Sequence, residues 1–133
     1  MGYSNNHDKE RSDYQMHWKK LKVWQETHKL VLEIYKITTG FPKSEIYGIV
    51  DQLKRAAYSV PSNIVEGQSR QSTKEYLKFL YNSRGSLEEV RYFLLLSYDL
   101  EFISEHTYQN LEESYEVASK MLNGLIKSLR STL

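Results

Sequence analysis

The stretch AAYSVPSNIVEGQSR, residues 56–70, gathers Ser62, Asn63, Glu66 and Arg70 just after a proline. A hydroxyl, an amide, a carboxylate and a guanidinium are the side-chain types from which polar active sites are assembled. The same residues have a plainer reading. Pro61 has no N–H to give to the Ala57 carbonyl, and its ring crowds the preceding turn, at a cost of about 3 kcal/mol in a helix interior. Ser62 or Asn63 can bond the freed backbone groups, or Asn63 can reach across to the next helix. Glu66 and Arg70 flank Gly67 and can pair across a turn. On this reading Pro61, Asn63, Glu66 and Gly67 form a structural motif that bends one long helix and ends it, and only Arg70 keeps a second role.

Other chemistry finds little support. The four histidines are His7, His17, His28 and His106. A di-iron bundle needs Glu-x-x-His pairs on two helices, but Tyr14, Gln25 and Ile103 stand three residues before the last three histidines. No HExxH occurs, so no metal site is expected. The adjacent pairs Glu88-Glu89 and Glu112-Glu113 point about 100° apart on a helix and read as solvated faces. P-loop, GxGxxG and GxSxG patterns are absent, so neither a cofactor nor a catalytic residue is assigned. The chain reads as no enzyme.

The basic residues form a clearer constellation. Between Gln68 and Arg84 lie Arg70, Lys74, Lys78 and Arg84 against the single acid Glu75. Lys74 and Lys78 are one helical turn apart, with Tyr81 next along that face. Such a strip can bind phosphates, with Tyr81 available for stacking on a base. The bland alternative is an ordinary charged helix face. Lys19, Lys20 and Lys22 could extend the patch, though the sequence does not place them.

Four helices must position these residues. Residues 1–19 are polar and aperiodic and read as a mobile tail, with residues 20–133 forming one domain. From Leu21, Val23, Thr27, Leu30, Val31, Ile34 and Ile37 recur at helical steps until Gly40 and Pro42. Ser44 reads as the N-cap of a second helix running to about Glu66, with Ile46, Ile49, Val50, Leu53, Ala56, Ala57, Val60 and Ile64 inward and Gly67 as a left-handed stop. Ser72 and Glu75 read as the capping box of a third helix with a Tyr76–Leu80–Ser83–Leu87–Val90–Leu94–Ser97 stripe. The serines, with Gly85-Ser86, suggest close approach of a neighbouring helix, or else are isolated helix-weakening positions. Ser104 caps a fourth helix with Ile103 and Tyr108 as a staple and a Tyr108–Leu111–Tyr115–Ala118–Leu122–Leu125–Leu129 seam. No segment alternates with a period of two. The expected fold is all-α, an antiparallel up-down-up-down four-helix bundle with a proline-kinked second helix.

The totals agree with this. The chain has 133 residues, no cysteine, and a net charge of +1, so any nucleic-acid affinity must come from a local patch or from an assembly that aligns patches. No apolar run approaches the roughly 18 residues of a membrane span, and a cytoplasmic protein with no membrane partner is expected. The 11 tyrosines exceed what a small bundle can bury, which hints at an interface or reads equally as amphipathic surface tyrosine.

The run from Phe41 to Ile103 carries a resemblance. FP-x-x-E-x-Y-G at Phe41–Gly48, QLKRAAYSVPSNIVEGQSR, STKEYLKFL and GSLEEV closely resemble the four-helix-bundle family of 23S ribosomal RNA intervening-sequence proteins. The accessory proteins of diversity-generating retroelements are similar. The resemblance implies a homo-oligomer, a pentamer by analogy, associated with structured RNA or an RNA-handling enzyme. Arg55, Arg70, Lys74 and Lys78 match basic positions of the family pattern, and Arg84 and Tyr81 complete the candidate nucleic-acid-binding set. An oligomeric scaffold that binds a protein partner without nucleic acid is the alternative.

Overall fold

The computed structural model describes residues 17–133. Most of the polar N-terminal segment, with His7 and the tyrosines at positions 3 and 14, lies outside the described residues. A 3-10 turn, His17–Lys20, precedes four helices: α1, Lys22–Thr38; α2, Ile49–Gln68; α3, Thr73–Asp99; and α4, Glu105–Arg130. The described residues contain no strand, and none of their helices is long and apolar enough to cross a membrane.

Along neighbouring helices the contacts step in opposite residue directions. Ser83 of α3 meets Val60 of α2, while Tyr76 and Phe79, earlier in α3, meet Gly67, later in α2. Between α3 and α4, Arg84 meets Asn123, Arg91 meets Glu112, and Tyr98 stacks on Tyr108. The carboxyl-terminal half of α1 meets the amino-terminal part of α2 through Tyr35 and Lys54.

The apolar stripes read from the sequence form the core. Ile34, Leu53, Val60, Ile64, Leu80, Leu87, Val90, Leu94, Ala118 and Leu122 are wholly buried, and each large aliphatic chain among them contributes about 1.5–3 kcal/mol by leaving water. Buried hydroxyls are satisfied locally: Thr27 Oγ1 donates to the Val23 carbonyl at 2.8 Å and Ser97 Oγ to the Phe93 carbonyl at 2.7 Å. Ser72 and Ser104 cap α3 and α4, their hydroxyls accepting from the N–H groups of Glu75 and Thr107 at 3.1 Å. Ile103 and Tyr108 pack against the core as a staple would.

Several local expectations are corrected. Ser44 does not cap α2: residues Lys43–Glu45 wind as a 3-10 turn, and the helix starts at Ile49 after Gly48. Pro42 holds the chain extended at its own position, and its carbonyl accepts from the Glu45 N–H at 2.9 Å. Ile46 and Tyr47 turn outward, 49% and 96% exposed, so no core face rewards an earlier helical turn.

Gly67 does not end the helix in a left-handed conformation. It lies inside α2, which is continuous through Pro61 to Gln68, and no glycine among the described residues has a positive φ. A Cβ at Gly67 would stand 2.8 Å from Tyr76 Cδ1 and 2.9 Å from Phe79 Cβ. The glycine is there because α3 passes at contact distance. Gly85, read as a mark of close approach, faces open space; Ser83 marks it instead.

Left-handed backbone occurs once among the described non-glycine residues, at Glu101, φ 65°. The Phe102 N–H bonds the Ser97 carbonyl at 2.8 Å and the Glu101 N–H bonds the Tyr98 carbonyl at 2.9 Å. This is the Schellman arrangement that closes a helix, with glutamate where glycine is usual.

Candidate nucleic-acid interface

The polar group around Pro61 does not converge. Asn63 Nδ2 donates to the Ser59 carbonyl of its own helix at 2.8 Å, not to a group on α3. Ser83 makes the cross-helix bond instead, its hydroxyl donating to the Val60 carbonyl at 2.8 Å. Glu66 is exposed and makes no ion pair with Arg70 among the described residues. Arg70 lies over the Phe79 ring, 4.7 Å from its centroid, because the turn after α2 carries it toward α3.

This contact builds one wall of a shallow groove of ≈ 330 Å³ lined by Arg70, Glu75, Lys78, Phe79 and Asn82. Glu75 is the one carboxylate in it. Lys74 and Lys78 stand exposed on α3. Arg84 lies over the Tyr81 ring at 5.0 Å and donates from Nη1 to Asn123 Oδ1 at 3.2 Å. Tyr81 therefore has a guanidinium over its ring.

None of Arg70, Lys74, Lys78 or Arg84 pairs with a carboxylate among the described residues. Arg55 and Arg91 differ from these four. Arg55 is bonded to Asp51 at 3.0 Å, and that hydrogen bond raises its pKa. It stands on the amino-terminal half of α2, away from the groove, so it is not part of the strip the sequence suggested. Arg91 bridges Glu88, Glu112 and Glu116 at 3.2, 3.0 and 2.9 Å; the bond to Glu112 chiefly holds it in the charged form.

Sequence reasoning along single helices misses Asn123, Lys127 and Arg130. They recur at i, i+4 and i+7 on the last two turns of α4 and share a groove with Arg84. That stripe is readable in the sequence, but its partner on α3 depends on helix register. Elsewhere His28 stacks on Trp24 at 5.0 Å and His106 Nε2 is 3.1 Å from Asn110 Nδ2. Among the described residues no three His, Asp or Glu side chains are grouped to hold a metal ion.

No curated protein matches the chain significantly. Among solved structures it is similar to a protein from the S23 ribosomal protein family of Bacteroides thetaiotaomicron, whose function is unknown. The TM-score is 0.71 at 22% identity, covering 79% of this chain and 98% of the other. That likeness speaks for the four-helix fold. A sequence profile described as 23S rRNA-intervening sequence protein matches residues 19–124, an interval that contains the Phe41–Ile103 motifs, all of α1, α2 and α3, and most of α4. The chain belongs to the 23S rRNA-intervening sequence protein family.

Proposed function

We propose that this protein is a non-enzymatic, homo-oligomeric bundle that associates with nucleic acid, structured RNA in the first place, through the strip Arg70, Lys74, Lys78 and Arg84. The observation that carries this reading is that these four cations, unpaired with any carboxylate among the described residues, gather along the start of α3 with Glu75 as the single acid between Gln68 and Arg84. Free cations on a helix face can neutralise phosphates and so release the counterions condensed on the nucleic acid. Two of them lie on aromatic rings, which favours a fixed rather than a wandering charge.

The family resemblance supports a homopentamer, and also an RNA-handling enzyme as a further partner. Five copies would turn one strip with three excess charges into a ring of about fifteen, and affinity scales with the phosphates contacted. A cytoplasmic location is part of the same reading. Light scattering gives the oligomer directly. A titration of structured RNA at increasing salt should show affinity falling steeply; affinity that is flat with salt removes the reading.

A second reading is an oligomeric scaffold for a protein partner. It is favoured by the exposed apolar side chains Tyr47, Tyr92, Leu32 and Val117, each more than half exposed. A pull-down that returns only RNA would sink it.

A further inference from the structure

The net charge of +1 conceals a sorting of charge along the bundle. The half containing the start of α1, the end of α2, the start of α3 and the end of α4 comprises residues 18–30, 59–86 and 118–133. It holds eleven Lys and Arg against three Asp and Glu. The other half, residues 31–58 and 87–117, holds five against eleven. The division falls at the midpoints of the four helices, so it belongs to the fold and not to any one segment. It places a formal charge of +8 on one half and −6 on the other, before helix-end effects.

Within the positive half, α3 is flanked by two grooves. One is the Arg70–Lys78 groove of the proposed function. The other, ≈ 300 Å³, lies between α3 and α4 and is lined by Arg84, Asn123, Ile126, Lys127 and Arg130. It contains no carboxylate, whereas the first contains Glu75. Ile126 is buried and forms its floor, and the four polar side chains stand around it. Asn123 accepts from Arg84, which fixes that guanidinium at the mouth. Lys127 and Arg130 also complement the carbonyl end of α4. That explains cations in a last turn, but not why Arg84 from another helix faces the same groove.

We infer that the groove of Arg84, Asn123, Lys127 and Arg130 is a second phosphate-binding site, which takes the phosphodiester backbone of the same nucleic acid as it passes over α3. This rests on the nucleic-acid reading above and deepens it. Backbone phosphates suit the site because three cations and one amide offer donors without any acceptor for a base edge other than Asn123. The strongly acidic far half confines the strand to this end of the bundle.

The test is a salt series with a synthetic RNA hairpin and a uridine oligomer, on wild-type protein and three paired variants. Lys127→Gln with Arg130→Gln should flatten the slope of log K against log salt by about 1.4–1.8 for each protomer the RNA contacts, two phosphate contacts at about 0.7–0.9 each. Lys127→Arg with Arg130→Lys should restore the wild-type slope. Lys36→Gln with Lys43→Gln, in the far half, should leave it unchanged. If the first pair keeps the wild-type slope and affinity while wild-type protein binds RNA, the second site does not exist and the proposed function stands. If wild-type protein shows no salt-dependent RNA binding, the proposed function fails and this inference with it.

Discussion

The Ser83 hydroxyl of α3 donates to the Val60 carbonyl of α2 across 2.8 Å, and both residues are fully buried. It is the polar fastening between two helices that otherwise meet through apolar side chains, one residue before Pro61. Replacing Ser83 by Ala should cost about 1 kcal/mol, the usual net worth of a buried hydrogen bond. For a chain of this size that lowers Tm by about 3–5 °C. Ser83→Leu should cost more, because the added volume must separate α2 from α3. Thermal unfolding followed by circular dichroism checks both; an alanine variant as stable as wild type would mean the bond contributes nothing.

The glycines should split by sign. Gly67→Ala places a methyl 2.8 Å from Tyr76 and 2.9 Å from Phe79, so α3 must shift. The expected loss is about 1–3 kcal/mol, overpacking offset in part by better helix propensity. Gly85 and Gly124 are helical, and a methyl added at either would meet nothing within 4 Å. Alanine at either should gain about 0.5–1 kcal/mol. Urea midpoints of the three single variants settle the matter. A stabilising Gly67→Ala would refute the close crossing of α2 and α3.

Glu101 holds a left-handed conformation at the end of α3, which for a residue with a Cβ costs about 1–2 kcal/mol. Glycine there removes that strain but gives more freedom to the unfolded chain. The net expectation for Glu101→Gly is a gain of about 0.5–1 kcal/mol. Proline at this position should unfold the turn, since it cannot take a positive φ. Denaturant titration distinguishes the two, and a destabilised glycine variant would count against the assigned turn.

Two tyrosine hydroxyls, Tyr76 and Tyr115, are buried without a hydrogen-bond partner among the described residues. Burial pushes the Tyr76 hydroxyl up to about 12 and raises that of Tyr115 further. In the folded chain these groups keep their protons after the unfolded chain, at its ordinary value of 10.0, has lost them. Below pH 10 their ionisation does not affect stability; above it the unfolded chain gains from losing these protons and the folded chain does not, until pH passes the Tyr76 value of about 12. Stability should therefore fall across that window, and less steeply in a Tyr76→Phe, Tyr115→Phe protein. At neutral pH Tyr115→Phe should gain about 1 kcal/mol, since it removes a desolvated and unpaired group. Chemical unfolding at stepped pH reads both effects, and a Phe variant with an unchanged alkaline slope would overturn the assignment.

The helical faces are legible in the sequence because burial follows a period of 3.6: spacing alone puts Leu80, Ser83, Leu87, Val90, Leu94 and Ser97 on the inner face of α3. Caps at Ser72 and Ser104 are legible because their chemistry is local. What fails depends on non-local partners. Gly67 as a stop and Gly67 as a crossing point look the same until α3 is beside it. Ser44 has the right side chain for a cap, but the outward Ile46 and Tyr47 leave its turn unsupported. Glu66 and Arg70 are well spaced to pair, yet Phe79 offers Arg70 a ring that sequence proximity does not reveal. The strip on α3 is visible because it lies on one helix; the groove with Lys127 and Arg130 is not, because it needs the register of α3 against α4.

The division of charge between the two halves has a practical corollary for handling the protein. An isoelectric point near 7.9 suggests a molecule indifferent to ion exchangers at neutral pH. Its dipole moment says otherwise. Each resin meets the half of opposite sign, so anion- and cation-exchange columns should both retain it at low ionic strength, each displaying a different end of the bundle to the mobile phase.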